Sequence, residues 1–376
     1  MTPTSAAEPG RLDTASTSAT SAAAPAPSAS AARAAETDAH RFADLVDGLS
    51  EPDTYFFSDN LVTNETSYLQ IADDLPSKVD ASGVYVGVGP EQNFSYIALT
   101  RPSAAYVVDI RRGNMLLHLL YRAAFEESAS RAHFVALLLG RAHDPSKTTS
   151  PTATIDEVLK SATAGDASEA TYEAAHEKLA ARIRSYGVKL ADDDWKGIEK
   201  MHHVYFEKGL GLRFELKEKN GRTYPTLSEI LATKSPSGNV GGFLASEDSF
   251  RFLQSMERSG RIVPIVGDFA GDKALPQLAS YLKSEGRTVS VFYVSNVEQY
   301  LLEPPVWAKW VRNVRALPKN DKSLFIRAYL DQGKKHPREM KGHRTATVMS
   351  RMIDFETIFG DKKTTTLFAL STEKIL

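Results

Sequence analysis

Two glycines and a later carboxylate form the pattern in this chain that most suggests chemistry. Gly87 and Gly89 follow an apolar run at residues 84–86, and Asp109 ends a second apolar run at residues 105–108. Glycines after a first strand let the backbone approach a ligand, and an acid after the second strand can accept hydrogen bonds from a ribose diol. The pattern predicts half of a nucleotide-cofactor site, with a structural βαβ turn as the alternative.

The loop after the first run departs from the dinucleotide-binding fingerprint. Gln92 and Asn93 stand where a third glycine is expected. This argues against a standard NAD site, because the third glycine allows the helix to pack closely on the strand. Two interpretations stay open: these polar side chains could bond an amino-acid-like end of a ligand, or Asn93 could cap the following helix.

Two acids come at the ends of apolar runs. Asp109 precedes Arg111 and Arg112, so it could be a ribose acceptor beside an arginine or part of a surface ion pair of little energetic weight. The position directly after a strand favours the ribose acceptor. Asp268 comes just after the apolar run that starts at Ile262 and suits an acceptor for an adenine amino group. A turn residue is an equally good interpretation of Asp268.

Asn296 and Tyr300 follow the apolar run at residues 289–294. In group-transfer folds this position faces the reacting atoms, so the two side chains could orient a substrate. Alternatively, Asn296 caps a helix and Tyr300 packs with Leu301. The sequence slightly favours the functional interpretation.

Residues 59–68, just ahead of the first strand, are dense in polar side chains. They could form a lid over a ligand, with Asn60, Asn64 and Glu65 as candidate contacts. A solvated loop whose polar side chains cap helices is the alternative, and the sequence alone favours that alternative.

The elements that must position these residues follow from the spacing of the apolar runs. We expect strands at residues 84–88, 105–109, 262–268, 289–294, 323–329 and 365–370. Apolar strands separated by helix-length segments predict an α/β protein with a Rossmann-like, mostly parallel sheet and helices on both faces. Ligands of such sheets bind beyond the carboxyl ends of the strands, which would collect the polar clusters in one crevice.

Strand patterns thin out between the second and third runs. Capping boxes begin at Thr154 and Thr226, and Ser246 precedes two acids, so each of these residues is expected to open a helix. The sequence therefore predicts a long helical insertion, residues 125–258, between strands two and three.

Composition bounds the kind of protein. The chain has 376 residues, is 42% hydrophobic and 24% charged, and carries a net charge of −2. This small net charge gives no general attraction to nucleic acid or to anionic membranes. No apolar run approaches the roughly 18 residues of a membrane span. The absence of cysteine excludes disulfides, thiolate catalysis and Cys-ligated metals. We expect a cytoplasmic protein; its oligomeric state is not indicated.

The N-terminal segment, residues 1–38, differs from the rest of the chain, because it consists mainly of Ala, Ser, Thr and Pro. With so few large apolar side chains, this segment cannot offset its ordering entropy. We therefore expect it to be a disordered tail ahead of one folded domain, residues 39–376.

Histidines give no pattern for a metal. His202 and His203 are adjacent and cannot share one helix face, while His118 and His133 lie among apolar residues, as packed histidines do. No metal site is predicted.

The order of glycine loop, second-strand acid, third-strand acid and fourth-strand Asn resembles class I S-adenosylmethionine-dependent methyltransferases. Residues 42–330 also look like an uncharacterised bacterial family of that fold. The motifs of this closer resemblance are Asp59-Asn60…Thr63-Asn64-Glu65…Ser67-Tyr68, the run from Gly87 to Ile97, Asp109-Ile110-Arg111-Arg112 and Ser295-Asn296-Val297-Glu298.

The resemblance implies S-adenosylmethionine as cofactor, with the acceptor unidentified. Gly87 and Gly89 would then line the methionine part of the cofactor, Asp109 would hold the ribose hydroxyls and Asp268 the adenine. Further cofactor-binding candidates are Pro90, Gln92, Asn93 and Ile110. Asn296 would lie near the transferred methyl group, with Tyr300 beside it as a further catalytic candidate.

The chain departs from the family pattern twice. Tyr85 and Val86 stand where an acid commonly precedes the glycine loop, and Pro90 stands where a further glycine often sits. A non-catalytic binding or scaffold protein on this fold is therefore the main alternative. An NAD-dependent oxidoreductase is less favoured, because no clear proton-relay His or Tyr-x-x-x-Lys lies near the strand ends.

Overall fold

The computed structural model describes residues 1, 41–54, 56, 61–144, 149–216, 223–331, 333–343, 345–360 and 365–376. The expected disordered tail, apart from Met1, and the candidate ligand contact Asn60 lie outside these residues.

One six-stranded sheet forms the centre of the described structure. Its strands are β1 (Val84–Gly87), β2 (Ala104–Asp109), β3 (Ile262–Val266), β4 (Val289–Ser295), β5 (Leu324–Leu330) and β6 (Thr345–Arg351). They lie in the order β3-β2-β1-β4-β5-β6. The first five strands are parallel, and β6 pairs with β5 in the antiparallel sense.

The strands are buried on both faces, which explains their apolar sequences. Every residue of β1, β2 and β3 is buried. Near-continuous hydrophobic runs of this kind are typical of parallel sheets that helices flank. The Rossmann-like α/β fold predicted from the sequence is confirmed.

The helices flank the sheet and fill the long segment between β2 and β3. They are α1 (residues 41–49), α2 (Leu75–Lys78), α3 (Gln92–Thr100), α4 (Arg112–Glu127), α5 (Arg131–Leu138), α6 (Ile155–Ala162), α7 (Glu169–Arg184), α8 (Asp192–Lys208), α9 (Leu227–Ala232), α10 (Glu247–Arg258), α11 (Ala274–Ser284), α12 (Pro304–Ala316), α13 (Met352–Phe359) and α14 (Leu367–Thr372). Short 3-10 helices lie at Gly209–Gly211 and Val297–Tyr300. Within the described ranges, no helix is both long enough and apolar enough to cross a membrane.

The predicted helix starts between β2 and β3 are confirmed. Thr154 and Thr226 form capping boxes with Glu157 and Glu229, and Ser246 caps α10 with its side chain. α4 connects this helical segment to the sheet, because it packs on β2 and β3 and also on α7, α8 and α10.

The prediction of a strand at residues 365–370 is wrong. Thr366 instead caps α14 by accepting a hydrogen bond from the Ala369 N–H at 3.1 Å, and Leu367 and Leu370 are both buried, at helical spacing. The sixth strand is β6, which the sequence did not reveal. Its Thr-Ala-Thr-Val-Met-Ser-Arg run mixes small and polar residues and lacks the strongly apolar character of the other strands.

Candidate functional site at the carboxyl ends of the strands

A cavity of about 310 Å³, the first cavity, lies beyond the carboxyl ends of β1 to β4. The strand order reverses direction at the β1–β4 pair, and open α/β sheets bind ligands at such a switch point. Most of the predicted site residues line the cavity: Asn64, Glu65, Gly89, Pro90, Gln92, Asp109, Ile110, Asp268, Asn296 and Tyr300. Gly87 and Asn93 are not among its lining residues.

Asn93 holds the glycine loop together from behind. It is fully buried, and the two N–H groups of its Nδ2 serve the carbonyls of Val88, Gly89 and Pro90 at N···O distances of 2.8–3.0 Å, so one N–H is shared between two carbonyls. Its Oδ1 accepts from the Tyr85 hydroxyl at 2.8 Å. Because Asn93 lies inside α3 and donates to carbonyls rather than accepting from the first N–H groups of the helix, the helix-cap interpretation is wrong. The side chain fixes the shape of the loop.

Gly87 makes room for this network. A Cβ built on Gly87 would overlap Asn93 Oδ1 and the Tyr85 ring. Gly89 has a different reason to be glycine, since its φ is +83°, a conformation that L side chains rarely adopt. The first glycine therefore serves packing, and the second serves the turn that lines the cavity.

Two side chains of α4 contact the Gly89 carbonyl. Asn114 Nδ2 donates to it at 3.1 Å, and His118 Nε2 lies 2.9 Å from it. Since a carbonyl only accepts, we assign the His118 proton to Nε2. Burial lowers the pKa of His118 to about 4, so the ring is neutral near pH 7. His118 is a packed histidine, as expected.

Asp109 lies at the cavity and also in an ion pair. It is 5% exposed and lines the cavity, but Arg111 bonds both of its carboxylate oxygens. Oδ1 accepts from the Arg111 backbone N–H at 2.9 Å and from Nε at 3.1 Å, and Oδ2 accepts from Nη2 at 3.1 Å. A carboxylate has about four acceptor positions, so capacity for a ligand hydroxyl remains on Oδ2.

Asp268 lines the cavity while it also serves a turn. Its Oδ1 accepts from the Ala270 N–H at 2.9 Å, and its carbonyl accepts from the Gly271 N–H at 2.9 Å. Glu51, which the sequence did not indicate, accepts from the Asp268 N–H at 2.5 Å. The segment that follows α1 thus fixes the loop after β3.

Asn296 follows a sharp turn at the end of β4. Ser295 has a φ of +52°, an unusual value for a residue other than glycine. Its hydroxyl oxygen lies 3.2 Å from Asn296 Oδ1, but its one proton is donated to Glu65 Oε1, which is closer. Asn296 precedes the 3-10 helix at Val297–Tyr300, but its side chain makes no cap bond to it, so the helix-cap interpretation is wrong. Tyr300 lies edge-on to Phe56, with ring centres 5.4 Å apart.

A buried carboxylate lies in the wall between Asn296 and the glycine loop. Glu65 Oε1 accepts from the Tyr293 hydroxyl at 2.6 Å and from the Ser295 hydroxyl, and Gln92 Nε2 donates to the Tyr293 hydroxyl at 3.0 Å. Burial raises the pKa of Glu65, although both hydroxyl bonds oppose the rise. In the described part of the chain, Glu65 Oε2 and Gln92 Oε1 have no hydrogen-bond partner.

Glu91 is a second buried acid, one residue before Gln92. Its Oε1 accepts from the Thr63 N–H at 3.0 Å, and burial raises its pKa to about 7. Neither Glu91 nor Tyr293 was singled out in the sequence. A tyrosine within the apolar β4 run was the available sign of a buried polar contact, because a buried tyrosine hydroxyl usually has a partner.

No cluster of three or more His, Asp or Glu side chains suited to a metal occurs among the described residues. The chemistry on offer is thus that of polar side chains around an apolar cavity. Val88, Val108, Ile110 and Phe269 supply the apolar lining. Such a cavity can hold a nucleoside-sized ligand by its ring, its hydroxyls and a donor group.

Comparison with known proteins gives a family and no function. No curated protein matches the chain. A family described as a domain of unknown function, DUF7790, matches residues 60–375, which include all six strands and nearly all the lining of the first cavity. The chain therefore belongs to the DUF7790 family.

Proposed function

We propose that the first cavity binds S-adenosylmethionine and that the protein transfers the methyl group to an acceptor. One observation carries the proposal. A glycine turn, two carboxylates and an asparagine, each following a different strand, line a single cavity at the switch point of the sheet. These are Gly89, Asp109, Asp268 and Asn296, and the four positions match those of the methyltransferase resemblance.

The cavity offers acceptors at both ends of such a ligand. Oδ2 of Asp109 has capacity for a ribose hydroxyl, and Asp268 suits the amino group of an adenine. At the other end, Glu65 Oε2 and Gln92 Oε1 are buried acceptors without a partner in the described ranges. The ammonium group of a methionine chain has three N–H donors, so it fits this end.

Glu65 also offers a replacement for the acid that the family pattern has before the glycine loop. An acid is missing just before the glycine loop, where Tyr85 and Val86 stand. The cavity nevertheless has a carboxylate at its β1–β4 side, supplied by the segment ahead of β1. We infer that Glu65 takes the part of the missing acid.

The bound cofactor supplies an already activated methyl group, so the protein mainly has to align the acceptor and exclude water. Asn296 and Tyr300 line the cavity at the end of β4 and are the candidates for orienting the acceptor. We place this activity in the cytoplasm, on the strength of the cysteine-free composition.

A binding protein without turnover is the second candidate function. Arg111 favours it, because this residue donates three hydrogen bonds to Asp109 and leaves that carboxylate little capacity for a ribose diol. Full binding of the diol would then require Arg111 to move or to share the carboxylate.

Calorimetry with S-adenosylhomocysteine, S-adenosylmethionine and NAD tests the proposal directly. We expect both adenosyl compounds to bind and to raise the melting temperature of the full chain, because a ligand of the native state stabilises it. NAD should not bind. Binding of NAD alone, or of none of the three, would overturn the proposal. Adenosyl binding without methyl transfer to any acceptor tested would favour the second candidate.

A further inference from the structure

A second cavity, of about 500 Å³, lies between α4, α8 and the chain that follows α8. It is larger than the first cavity and lies beside it, mainly among residues of α4 and α8. Residues on α8 that line it recur at helical spacing, from Gly197 through Met201 and Val204 to Lys208. One face of α8, which also packs on α4, therefore forms a wall of this cavity.

The floor of the second cavity is apolar. Leu116 and Leu117 come from α4, Met201 from α8 and Leu212 from the following loop, and all four are buried. A floor of this kind holds an alkyl or aryl group through the hydrophobic effect.

The rim has the opposite character. Its charged groups are Arg111, Lys200, Lys208, Arg213 and Glu215, in a chain whose net charge is −2. Arg111 is already paired with Asp109, which leaves three cations against one carboxylate. Lys200 and Lys208 are exposed, and neither forms an ion pair with any residue of the described ranges. A concentration of cations beside an apolar floor favours a ligand with one anionic end and one apolar end.

Only a thin wall separates the two cavities. Leu61 lines the second cavity and its neighbour Val62 the first, while Phe214 lines the first and its neighbour Arg213 the second. Arg111 lines both. The guanidinium that bonds the β2 carboxylate in the first cavity is thus also one of the cations at the second.

We propose that the second cavity is a binding site for an amphipathic anion, a molecule with an alkyl or aryl body and a single carboxylate or similar headgroup. The body lies on the leucine and methionine floor, and the headgroup lies among the rim cations. This proposal is independent of the function proposed for the first cavity, since no step of it requires an adenosyl ligand.

Three probe molecules test separately whether the ligand needs an apolar body and whether it needs an anionic headgroup. Calorimetry on the full chain should show binding of decanoate below its micelle concentration. Decanol has the same tail without the charge, and acetate has the charge without the tail, so both should bind much more weakly. Equal binding of decanoate and decanol would overturn the anionic assignment, and absence of decanoate binding would overturn the site.

Gly113→Leu tests the location. A Cβ on Gly113 meets no neighbouring atom within 4 Å, so the new side chain enters open space at the cavity wall, and leucine is the better helix former in α4. Decanoate binding should weaken by about tenfold or more, with no loss of melting temperature. Gly48→Leu, which also enters open space in a helix but lies outside the cavity, is the matched control.

The double variant Lys200→Gln/Lys208→Gln tests the headgroup. Exposed ion pairs are individually weak, so decanoate affinity should fall by about threefold or more while decanol affinity stays the same. Unchanged decanoate affinity in both this variant and Gly113→Leu would show that the probe binds elsewhere and would overturn the proposal.

Discussion

The two cavities share one wall but are built in opposite ways. The first lies at the ends of four strands, and a buried hydrogen-bond network around Asn93 fixes its glycine loop. The second lies between helix faces, and its rim carries exposed lysines. A site on strand ends is rigid because the fold needs its polar groups satisfied, whereas a site between helices can change its rim at little cost to stability.

The largest expected effect on stability is for Asn93, whose hydrogen bonds form the frame of the first cavity, that is, the buried network that fixes its glycine loop. Asn93→Ala removes the donor to three carbonyls and the acceptor of the Tyr85 hydroxyl, all in buried surroundings. We expect the free energy of unfolding to fall by about 3–4 kcal/mol, as measured by urea unfolding. Lys200→Ala on the second rim is the control, with an expected change under about 0.5 kcal/mol. Similar losses of stability in the two variants would contradict the proposed difference between a rigid first cavity and a tolerant rim at the second.

The buried acid Glu91, beside the first cavity, makes the stability of the protein depend on pH. Burial raises its pKa from 4.5 to about 7, so the folded chain keeps a proton that the unfolded chain loses at lower pH. The contribution to stability is therefore full below pH 4.5 and is lost as pH rises through 7. Glu91→Gln keeps the acceptor for the Thr63 N–H and removes the charge. Its stability relative to wild type should increase by about 3 kcal/mol between acidic pH and about pH 8.

Denaturant unfolding of both proteins at several pH values measures this difference. A difference that stays flat with pH would show that Glu91 titrates normally and that the frame of the first cavity is more open to water than its burial indicates. A difference of the opposite sign would contradict the burial of a neutral carboxyl.

The strand ends were predictable from the sequence because the apolar runs that precede them are long. Asp109, Asp268 and Asn296 each follow such a run, so their common location required only the rule that parallel strands end on one edge. Their local partners were less predictable. Arg111 is a sequence neighbour of Asp109, but Glu51 reaches Asp268 across 217 positions of sequence.

Contacts between separate elements of the fold were also not predictable for the glycine loop and for the second cavity. The roles of Gly87 and Asn93 depend on the distance between a strand and a helix, which no spacing rule gives. The second cavity exists because α4 and α8 meet, and these helices lie far apart in sequence. β6 was missed because Thr345, Thr347 and Ser350 interrupt its apolar side chains, although six of its seven residues are buried.

Asp109→Ala separates the two cavities by the direction of its effect. It should weaken S-adenosylhomocysteine binding at the first cavity by about 1.5–3 kcal/mol, the range for a hydrogen bond to a charged group. It should not weaken decanoate binding at the second, because it removes the carboxylate that competes with the anion for Arg111. Calorimetry with each ligand measures both. Equal adenosyl affinity in variant and wild type would remove Asp109 from the site.

The smallest effect on stability is expected for Asn296→Ala, although this residue is proposed to act on the acceptor. Its Oδ1 lies 3.2 Å from the Ser295 hydroxyl oxygen, whose proton goes to Glu65, and its side chain makes no cap bond. We therefore expect a loss under about 0.5 kcal/mol, less than the roughly 0.5–2 kcal/mol of a lost cap. Asn313→Ala is the control, because Asn313 is buried and donates to the carbonyls of Phe269 and Gly271 at 2.8 Å.

The two Asn variants should differ in melting temperature. Asn313→Ala should lower the melting temperature, since it removes two hydrogen bonds at 2.8 Å, of which the one to the Phe269 carbonyl is buried. Asn296→Ala should melt like wild type and bind S-adenosylhomocysteine with nearly unchanged affinity, yet lower turnover once an acceptor is known, as does loss of an interaction used mainly in the transition state. Melting curves and calorimetry test the first half before any acceptor is found. A destabilised Asn296→Ala would show that this turn belongs to the rigid frame of the first cavity and would remove Asn296 from its chemistry.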